Sequence, residues 1–376
     1  MGKKGEEKTT YDRQEELSNL LAKIEIKNKI VSGPAVFLSG DDSYTVLFST
    51  SQKGAGWIEI EDGGETVKIW DNVAGNILTT DTIHAIKIKK SQLDGKTYRV
   101  GARHVYFKGG YSALKGSYAY SPYFSFRGTP KSDDINILVA TDIHGSLERM
   151  KKAVGDWTDK ADLVIMPGDI ADQGETKESL KNAIIGAAAM FSKSEIPVIY
   201  TRGNHETRGE FSPEYNRYFR TDTGEMYFTT GYGFLKILVL DTGEDKEDSH
   251  PEYSGLVDFE SYRKKELEWL DSLPKFKDDF VLCVAHNPYI ENHFGDNWHE
   301  KIKRTGVRLF IGGHTHRLKY HPKGEYQDYP VIVAGGRGLN DKQPYIAMLL
   351  TVNKQTFRAK ARDEFGVGRN KNDERE

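Results

Sequence analysis

The sequence predicts an α/β domain, a four-layer sandwich of two mixed sheets flanked by helices, preceded by an all-β sandwich. Two patterns and the chain length support this prediction. Short runs that alternate apolar and polar residues fill the first third of the chain, and continuous apolar runs separated by helical segments fill the rest. Alternation is typical of half-buried strands, whereas continuous apolar runs are typical of strands covered on both faces. A length of 376 residues suffices for two domains.

The alternating runs lie between residues 31 and 130. Apolar residues recur at every second position in Tyr44-Val46-Phe48, Ile58-Ile60, Val67-Ile69, Ile86-Ile88, Tyr98-Val100-Ala102 and Phe124-Phe126. Turn signals such as Asp94-Gly95 separate these runs, and about seven short strands at this spacing predict a β-sandwich. Because the Cys…Trp…Cys pattern of antibody domains is missing, a fibronectin type III-like sandwich is the better description of this region.

The continuous apolar runs predict the elements of the second domain, expected over residues 131–365. Strands are predicted at 135–140, 163–166, 197–200, 234–240, 280–285, 308–311, 330–334 and 346–352, and helices at 147–154, 177–191 and 259–270. Strands that alternate with helices in this way predict sheets covered on both faces by other layers.

The two ends of the chain are expected to lie outside these domains. Residues 1–30 are predicted to be a flexible charged tail followed by a short helix, in which Leu17, Leu20, Leu21 and Ile24 recur at helical spacing. We interpret this stripe as core packing, with a partner helix as the alternative. The charged residues 366–376 are expected to be disordered.

The composition indicates which binding partners and which cellular compartment to expect. The net charge of -3 provides no overall basic field, so nucleic acid is not an expected partner. No apolar run has the length of a membrane span, and no secretory signal is visible at the start of the chain, which favours a cytoplasmic protein with no membrane partner. The single cysteine, Cys283, lies in an apolar run and is expected to be buried and unreactive. The oligomeric state cannot be predicted from the sequence.

Five short polar clusters in the second domain carry the chemistry. They are Asp142-Ile143-His144, Gly168-Asp169, Gly203-Asn204-His205-Glu206, His286 and Gly313-His314-Thr315-His316. Their side chains offer oxygen and imidazole ligands and no thiolate. Such ligands suit a pair of divalent or trivalent ions that catalyse hydrolysis.

These clusters are expected to meet at one place. Each follows a predicted apolar strand, and ligands at the carboxyl ends of sheet strands converge on one crevice. In Asp-x-His and His-x-His the two side chains are two residues apart, so in extended backbone they point the same way and can reach one metal centre together. Each motif is weak by itself, and the prediction rests on the five occurring together.

The order of the clusters resembles that of the calcineurin-like metallophosphoesterases over about residues 136–352. The β-sandwich before the catalytic domain further resembles the domain order of purple acid phosphatases. The resemblance implies that one metal ion is bound by Asp142, His144 and His316, that a second is bound by Asn204, His286 and His314, and that Asp169 bridges both. It also implies that His205 does not bind metal but faces the phosphate and assists the leaving group.

The implied activity is hydrolysis of a phosphoric ester by in-line attack of a hydroxide that bridges two metal ions. Small phosphomonoesters are the favoured substrates, because the domain order resembles phosphatases. Phosphodiesters are the close alternative, a nuclease of the same superfamily is a second, and a non-catalytic scaffold is a third. Scaffolds of this kind lose metal ligands, whereas this chain keeps all of them.

One position departs from the purple acid phosphatases. Those enzymes carry a tyrosine, which gives their colour, three residues after the motif aspartate, where this chain has Asp172. They also lack the histidine found here as His144, which restores the ligand that the tyrosine would supply. The expected metals are therefore Mn, Zn or Fe(II), in a colourless enzyme.

Two arginines flank the Gly-Asn-His-Glu cluster. Arg202 and Arg208 could each bind phosphate through a bidentate guanidinium. The expected role is instead an ion pair with Glu206, Glu210 or another acidic residue.

Overall fold

The computed structural model describes residues 9–291, 295, 297–337 and 343–369. Its helices are α1 (Thr10–Ile24), α2 (Lys90–Leu93), α3 (Leu147–Val154), α4 (Gly186–Ser192), α5 (Asn216–Phe219), α6 (Phe259–Ser272) and α7 (Trp298–Arg304). A π-helical segment, Ser179–Ile185, leads directly into α4. Short 3-10 turns span Gly155–Asp159, Ser212–Glu214 and Pro251–Tyr253.

The strands divide between the two predicted regions. Those of the N-terminal region are β1 (Ile30–Leu38), β2 (Ser43–Thr50), β3 (Gly54–Asp62), β4 (Glu65–Trp70), β5 (Asn72–Val73), β6 (Asn76–Ile77), β7 (Ile83–Lys89), β8 (Thr97–Lys108), β9 (Ala113–Tyr120) and β10 (Phe124–Ser125). Those that follow are β11 (Ile135–Val139), β12 (Leu163–Pro167), β13 (Val198–Thr201), β14 (Phe228–Tyr232), β15 (Leu235–Val239), β16 (Phe280–Val284), β17 (Leu309–Gly312), β18 (Leu318–His321), β19 (Val331–Ala334), β20 (Ile346–Val352), β21 (Phe357–Asp363) and β22 (Gly368–Arg369).

Two mixed sheets form the centre of the molecule. The nine-stranded sheet has the order β22-β21-β20-β11-β12-β13-β1-β2-β7, and β11, β12 and β13 within it are parallel. The six-stranded sheet has the order β14-β15-β16-β17-β19-β18, with β15, β16, β17 and β19 parallel. Antiparallel strands flank both parallel groups, which confirms the predicted mixed sheets.

The two sheets pack face to face and carry helices on their outer faces. Ile137 and Ile165 of one sheet share a buried core with Leu282 and Ile311 of the other. On the outer face of the nine-stranded sheet, residues of α3 and α4 form a second apolar cluster with β11 and β12. Residues of α6 and α7 form a third cluster with the outer face of the six-stranded sheet. The layer order of helix, sheet, sheet and helix is the one predicted from the sequence.

The N-terminal region is rich in strands, and it shares one of its sheets with the rest of the chain. Strands β3, β4, β8, β9 and β10 form a separate five-stranded sheet, whereas β1, β2 and β7 extend the nine-stranded sheet. Strand β1 pairs in parallel with β13, and Phe37 lies opposite Val198. This pairing covers a backbone edge that β13 would otherwise expose. The sheet therefore continues across the expected domain limit near residue 130, and the fibronectin type III-like description stays a prediction.

Helix α1 packs against β9 through polar groups. The Ser18 hydroxyl accepts a hydrogen bond from the Lys115 backbone N–H at 3.1 Å, and Glu15 forms ion pairs with Arg103 and Lys115. The expected core packing of the apolar stripe is wrong for three of its members, because Leu17, Leu20 and Ile24 are 49%, 58% and 80% exposed. The periodicity marked a helix face correctly, but the opposite face makes the contacts with the sheet.

Residues 366–369, which were expected to be disordered, include β22, and this short strand pairs with β21. Residues 1–8 and 370–376 lie outside the described residues. Within the described part, no helix combines the length and apolar character needed to cross a membrane.

A buried histidine in the N-terminal region makes stability depend on pH. His84 lies against the Phe48 ring at 4.8 Å between centroids, and its Nε2 is 3.1 Å from the Thr50 hydroxyl. Burial lowers the pKa of His84 to about 4. Between this value and the ordinary histidine pKa, the unfolded chain binds a proton that the folded protein does not. Stability is therefore lost as the pH falls through this window, by about 2 kcal/mol between pH 7 and pH 5.

Urea unfolding of the wild type and of His84→Asn at these two pH values measures the contribution. The wild type is expected to lose about 2 kcal/mol more than the variant on acidification. His250, whose side chain is 39% exposed, serves as the matched control when changed to Asn and should behave like the wild type. Equal pH dependence in the wild type and His84→Asn would show that His84 does not contribute.

Candidate metal centre

The predicted ligands lie where strands of both central sheets end. Asp142, Asp169 and Asn204 follow β11, β12 and β13 of the nine-stranded sheet, whereas His286 and His314 follow β16 and β17 of the six-stranded sheet. Because both sets of parallel strands end on the same side, the five clusters meet in one place.

The backbone at the ligands adopts an uncommon conformation. The φ angles of Asp142, His144, Asp169, His314 and His316 are 51°, 46°, 52°, 73° and 57°. Residues other than glycine avoid this left-handed region, at a cost of roughly 1–3 kcal/mol each. Such conformations persist only where the surrounding structure enforces them, and they cluster at functional sites.

One group of ligand atoms contains Asp142, His144, Asp169 and His316. These atoms all lie within 4.8 Å of one another. The Nε2 atoms of His144 and His316 are 3.1 Å apart, and His316 Nε2 is 3.4 Å from Asp142 Oδ1. His144 Nε2 is 3.7 Å from Asp169 Oδ2. The group has the size and the ligand types of a single metal site.

A second group adjoins the first. Asn204 Oδ1 lies 3.1 Å from His286 Nε2 and 3.2 Å from His314 Nδ1. His286 Nε2 is also 3.2 Å from Asp169 Oδ2. Asp169 therefore contacts both groups, and all seven predicted ligands come together around it.

The polar atoms of this second group are compatible with one another when a proton or a metal ion lies between them. His286 Nδ1 lies 2.7 Å from the Pro167 carbonyl oxygen, so Nδ1 carries the hydrogen that this contact needs. In a neutral imidazole, Nε2 then has only a lone pair, and that lone pair faces the oxygens of Asp169 and Asn204. Three acceptors that converge repel one another unless a proton or a metal ion lies between them. The oxygen and imidazole ligands therefore fit a divalent metal ion.

The electrostatics of the protein without metal agree with this interpretation. Burial raises the pKa of Asp142, and burial lowers the pKa of His144 to about 3 and also that of His316. These two imidazoles are thus neutral, which is the form that binds metal. Although burial opposes both shifts, mutual attraction lowers the pKa of Asp169 and raises that of His286. Without metal, this attraction favours a proton held by the Asp169–His286 pair.

His205 lies beside the ligands and makes different contacts. Its Nδ1 is 2.6 Å from the Asp172 carbonyl oxygen, and its backbone N–H donates to Asp169 Oδ1 at 3.0 Å. Its ring meets the His144 ring edge to face, with 4.5 Å between centroids. The Asp172 carboxylate is 70% exposed, and its Oδ1 lies 3.6 Å from His144 Nδ1. His205 is therefore held by its own hydrogen bond and is partly exposed to solvent.

Glu206 connects the loop that follows β12 with the loop that follows β13. Its carboxylate accepts hydrogen bonds from the backbone N–H groups of Asp169, Ile170, Ala171 and Gly203, at 2.8, 2.6, 2.8 and 2.7 Å. The side chain is fully buried. From the sequence, Glu206 was expected only as a candidate ion-pair partner of the flanking arginines, and the only signal of this contact was its place at the end of the Gly-Asn-His-Glu cluster.

The two arginines beside this cluster form ion pairs, as expected, although not with Glu206 or Glu210. The Arg202 guanidinium binds the buried Asp241 carboxylate, with Nη2 at 2.6 Å from Oδ2. Arg208 binds both carboxylate oxygens of Glu244, at 2.7 and 2.9 Å. Both guanidinium groups therefore already have a carboxylate partner.

Several solved structures have a distant similarity to this chain. A structure described as PhoD is 11% identical, with 88% of this chain and 90% of that chain covered and a TM-score of 0.48. A cold-active protein-tyrosine phosphatase from a psychrophilic Shewanella species is 12% identical, with 92% and 99% covered and a TM-score of 0.31. A predicted phosphoesterase from Streptococcus pneumoniae TIGR4 is 11% identical, with 63% and 93% covered and a TM-score of 0.31. No curated protein matches the chain.

A family model identifies the domain that carries the site. The model for the calcineurin-like phosphoesterases matches residues 135–318, from the first strand of the second region to the strand after the last ligand. This range contains all seven predicted ligands, together with His205 and Glu206. Residues 135–318 therefore form a calcineurin-like phosphoesterase domain, and such domains are phosphoric ester hydrolases.

Proposed function

We propose that this protein hydrolyses small phosphoric esters with two metal ions that share Asp169. The observation that carries the proposal is the position of the Asp169 carboxylate, which contacts His144 in one group of ligand atoms and His286 in the other. The remaining ligands are Asp142 and His316 in the first group and Asn204 and His314 in the second. When bound, such a pair of ions supplies a nucleophile from water near neutral pH and polarises the phosphoryl group.

His205 is the proposed source of the proton for the leaving group. Its Nδ1 is engaged with the Asp172 carbonyl, so the ring is held in one orientation with Nε2 at the other end. In the protonated ring Nε2 carries the second hydrogen, which can pass to an alkoxide as the ester bond breaks. An imidazole held beside the ligands without binding metal is suited to this role.

Replacing His205 with Asn is expected to slow hydrolysis most for the substrates that have the poorest leaving groups. For an alkyl phosphate, kcat should fall about 100- to 10,000-fold, because the alkoxide needs a proton. For an aryl phosphate with an acidic phenol, the loss should be much smaller. Steady-state kinetics on both esters test this prediction, and an equal loss on the two would show that His205 acts in another way.

The favoured substrate is a monoester, supported by the resemblance of the domain order to purple acid phosphatases. A diesterase of the same superfamily is the alternative. The test compares kcat/KM for an aryl monophosphate with that for the matching diester, using protein loaded with Mn, Zn or Fe(II). Faster turnover of the monoester supports the proposal, and a strong preference for the diester would overturn it. A gel shift with single- and double-stranded DNA tests the nuclease alternative.

The metal-loaded protein is expected to be colourless. At the position of the purple-type tyrosine this chain has Asp172, whose carboxylate lies near His144 Nδ1. Without a phenolate ligand, a ferric charge-transfer band has no source in this ligand set. Absorption spectra of protein loaded with Mn, Zn or iron test the prediction, and a strong visible band would contradict the proposed ligands.

A further inference from the structure

A glycine pair brings one more arginine to the site. Gly335 and Gly336 follow β19, both with φ of 88°. A Cβ atom on Gly336 would lie 2.3 Å from the Thr141 carbonyl oxygen, so only glycine allows the loop this close to the end of β11. The next residue, Arg337, donates its backbone N–H to the Asp142 carbonyl oxygen at 2.9 Å. Arg337 is therefore anchored through its backbone to a segment that carries metal ligands.

The side chain of Arg337 is partly buried, and its charge acts on the site. Burial is the largest cause of the lowered pKa of His144 and of His316, and the positive charge of Arg337 adds to both shifts. Among the residues that the structure describes, no carboxylate forms an ion pair with Arg337. Arg202 and Arg208, in contrast, are both held by buried carboxylates.

Two acidic side chains lie at the rim of the site and oppose this charge only weakly. The Asp172 carboxylate is largely exposed, so solvent screens it. The Asp245 carboxylate, 3.8 Å from His314, forms an ion pair with Lys246 at 3.1 Å. Arg337 thus adds a positive charge beside the ligands that its described surroundings do not neutralise.

We propose that Arg337 binds the non-bridging oxygens of the substrate's phosphoryl group and favours phosphomonoesters over phosphodiesters, an inference that rests on the proposed hydrolase function. The planar guanidinium matches two phosphoryl oxygens at once. A monoester presents three such oxygens and nearly two negative charges at neutral pH, whereas esterification of a second oxygen removes one oxygen and one charge. The additional cation therefore stabilises the monoester more than the diester.

Kinetics on metal-loaded Arg337→Ala and Arg337→Lys test the inference. For the aryl monophosphate, kcat/KM of the alanine variant should fall about 10- to 100-fold, mainly through KM, because a charge-assisted contact is lost. For the matching diester the change should be several times smaller. The lysine variant keeps the charge without the planar fork and should be intermediate, and added guanidinium ion should partly restore the alanine variant. Arg358→Ala, at an exposed position, is the matched control.

A binding measurement keeps this inference separate from the proposed function. Calorimetry measures the binding of inorganic phosphate to the metal-loaded proteins. Arg337→Ala should bind phosphate about 10- to 100-fold more weakly than the wild type. Its metal content and thermal stability should be unchanged, because the residue is anchored through its backbone N–H. Equal losses on monoester and diester, or unchanged phosphate binding, would overturn the role of Arg337. Failure of the wild type to hydrolyse either ester would count against the proposed function, and phosphate binding would still decide the role of Arg337.

Discussion

Replacing Asp169 with Asn is expected to lower kcat/KM at least about a thousandfold while leaving the fold intact. The Asp169 carboxylate is buried and lies 3.2 Å from His286 and 3.7 Å from His144, so it is the contact common to both ligand groups. Asparagine has the same shape, and it tolerates the left-handed backbone found at this position. It lacks the negative charge, however, so both proposed metal ions would be bound more weakly.

The measurement combines kinetics, circular dichroism and metal content. Asp62→Asn is the matched control, because Asp62 forms an exposed ion pair with Lys96 and surface pairs contribute little. The control should retain the activity and metal content of the wild type. Unchanged turnover in Asp169→Asn would show that the chemistry lies elsewhere, and it would revive the interpretation of the domain as a scaffold.

Replacing Glu206 with Ala should have the largest effect on stability, a loss of about 4 kcal/mol or more. The carboxylate accepts hydrogen bonds from the backbone N–H groups of Asp169, Ile170, Ala171 and Gly203, and no part of it is exposed. Alanine leaves these buried donors without an acceptor, at about 1–3 kcal/mol for each group that water does not reach. Glutamine keeps one acceptor oxygen and should lose less.

Urea unfolding of the metal-free proteins separates this stability effect from metal binding. Glu210→Ala is the matched control, since Glu210 is exposed and only four residues further along the chain. Glu210→Ala should lose no more than about 0.5 kcal/mol of unfolding free energy. If Glu206→Ala loses no more stability than this control, the four hydrogen bonds do not hold the loops after β12 and β13 together.

The meeting of these side chains at one place could be predicted from the sequence, because they occur in short motifs that follow predicted strands. Side chains such as those of Asp142 and His144 are recognisable by type and by their place after an apolar run. Glu206 and Arg337 were not predicted, since the role of each depends on contacts with segments that are distant in the chain. A glutamate that accepts four backbone hydrogen bonds looks in the sequence like any other glutamate.

The layers of the fold could also be predicted, but the joining of its sheets could not. Periodicity reports whether a strand is covered on one face or on both, and this sufficed for the order of helices and sheets. It does not report which strand is the neighbour, so the pairing of β1 with β13 was not foreseen. The same limit explains α1, where the sequence marked an apolar face and the polar face makes the contacts.

Calorimetric titration of the metal-free protein with Mn or Zn measures the central claim most directly. Two ions per chain are expected for the wild type, because the seven ligands form two groups that share Asp169. His144→Ala should remove one of these binding events, His286→Ala should remove the other, and Asp169→Asn should weaken both. Binding of fewer than two ions by the wild type, or two events that survive all three substitutions, would contradict the proposed centre.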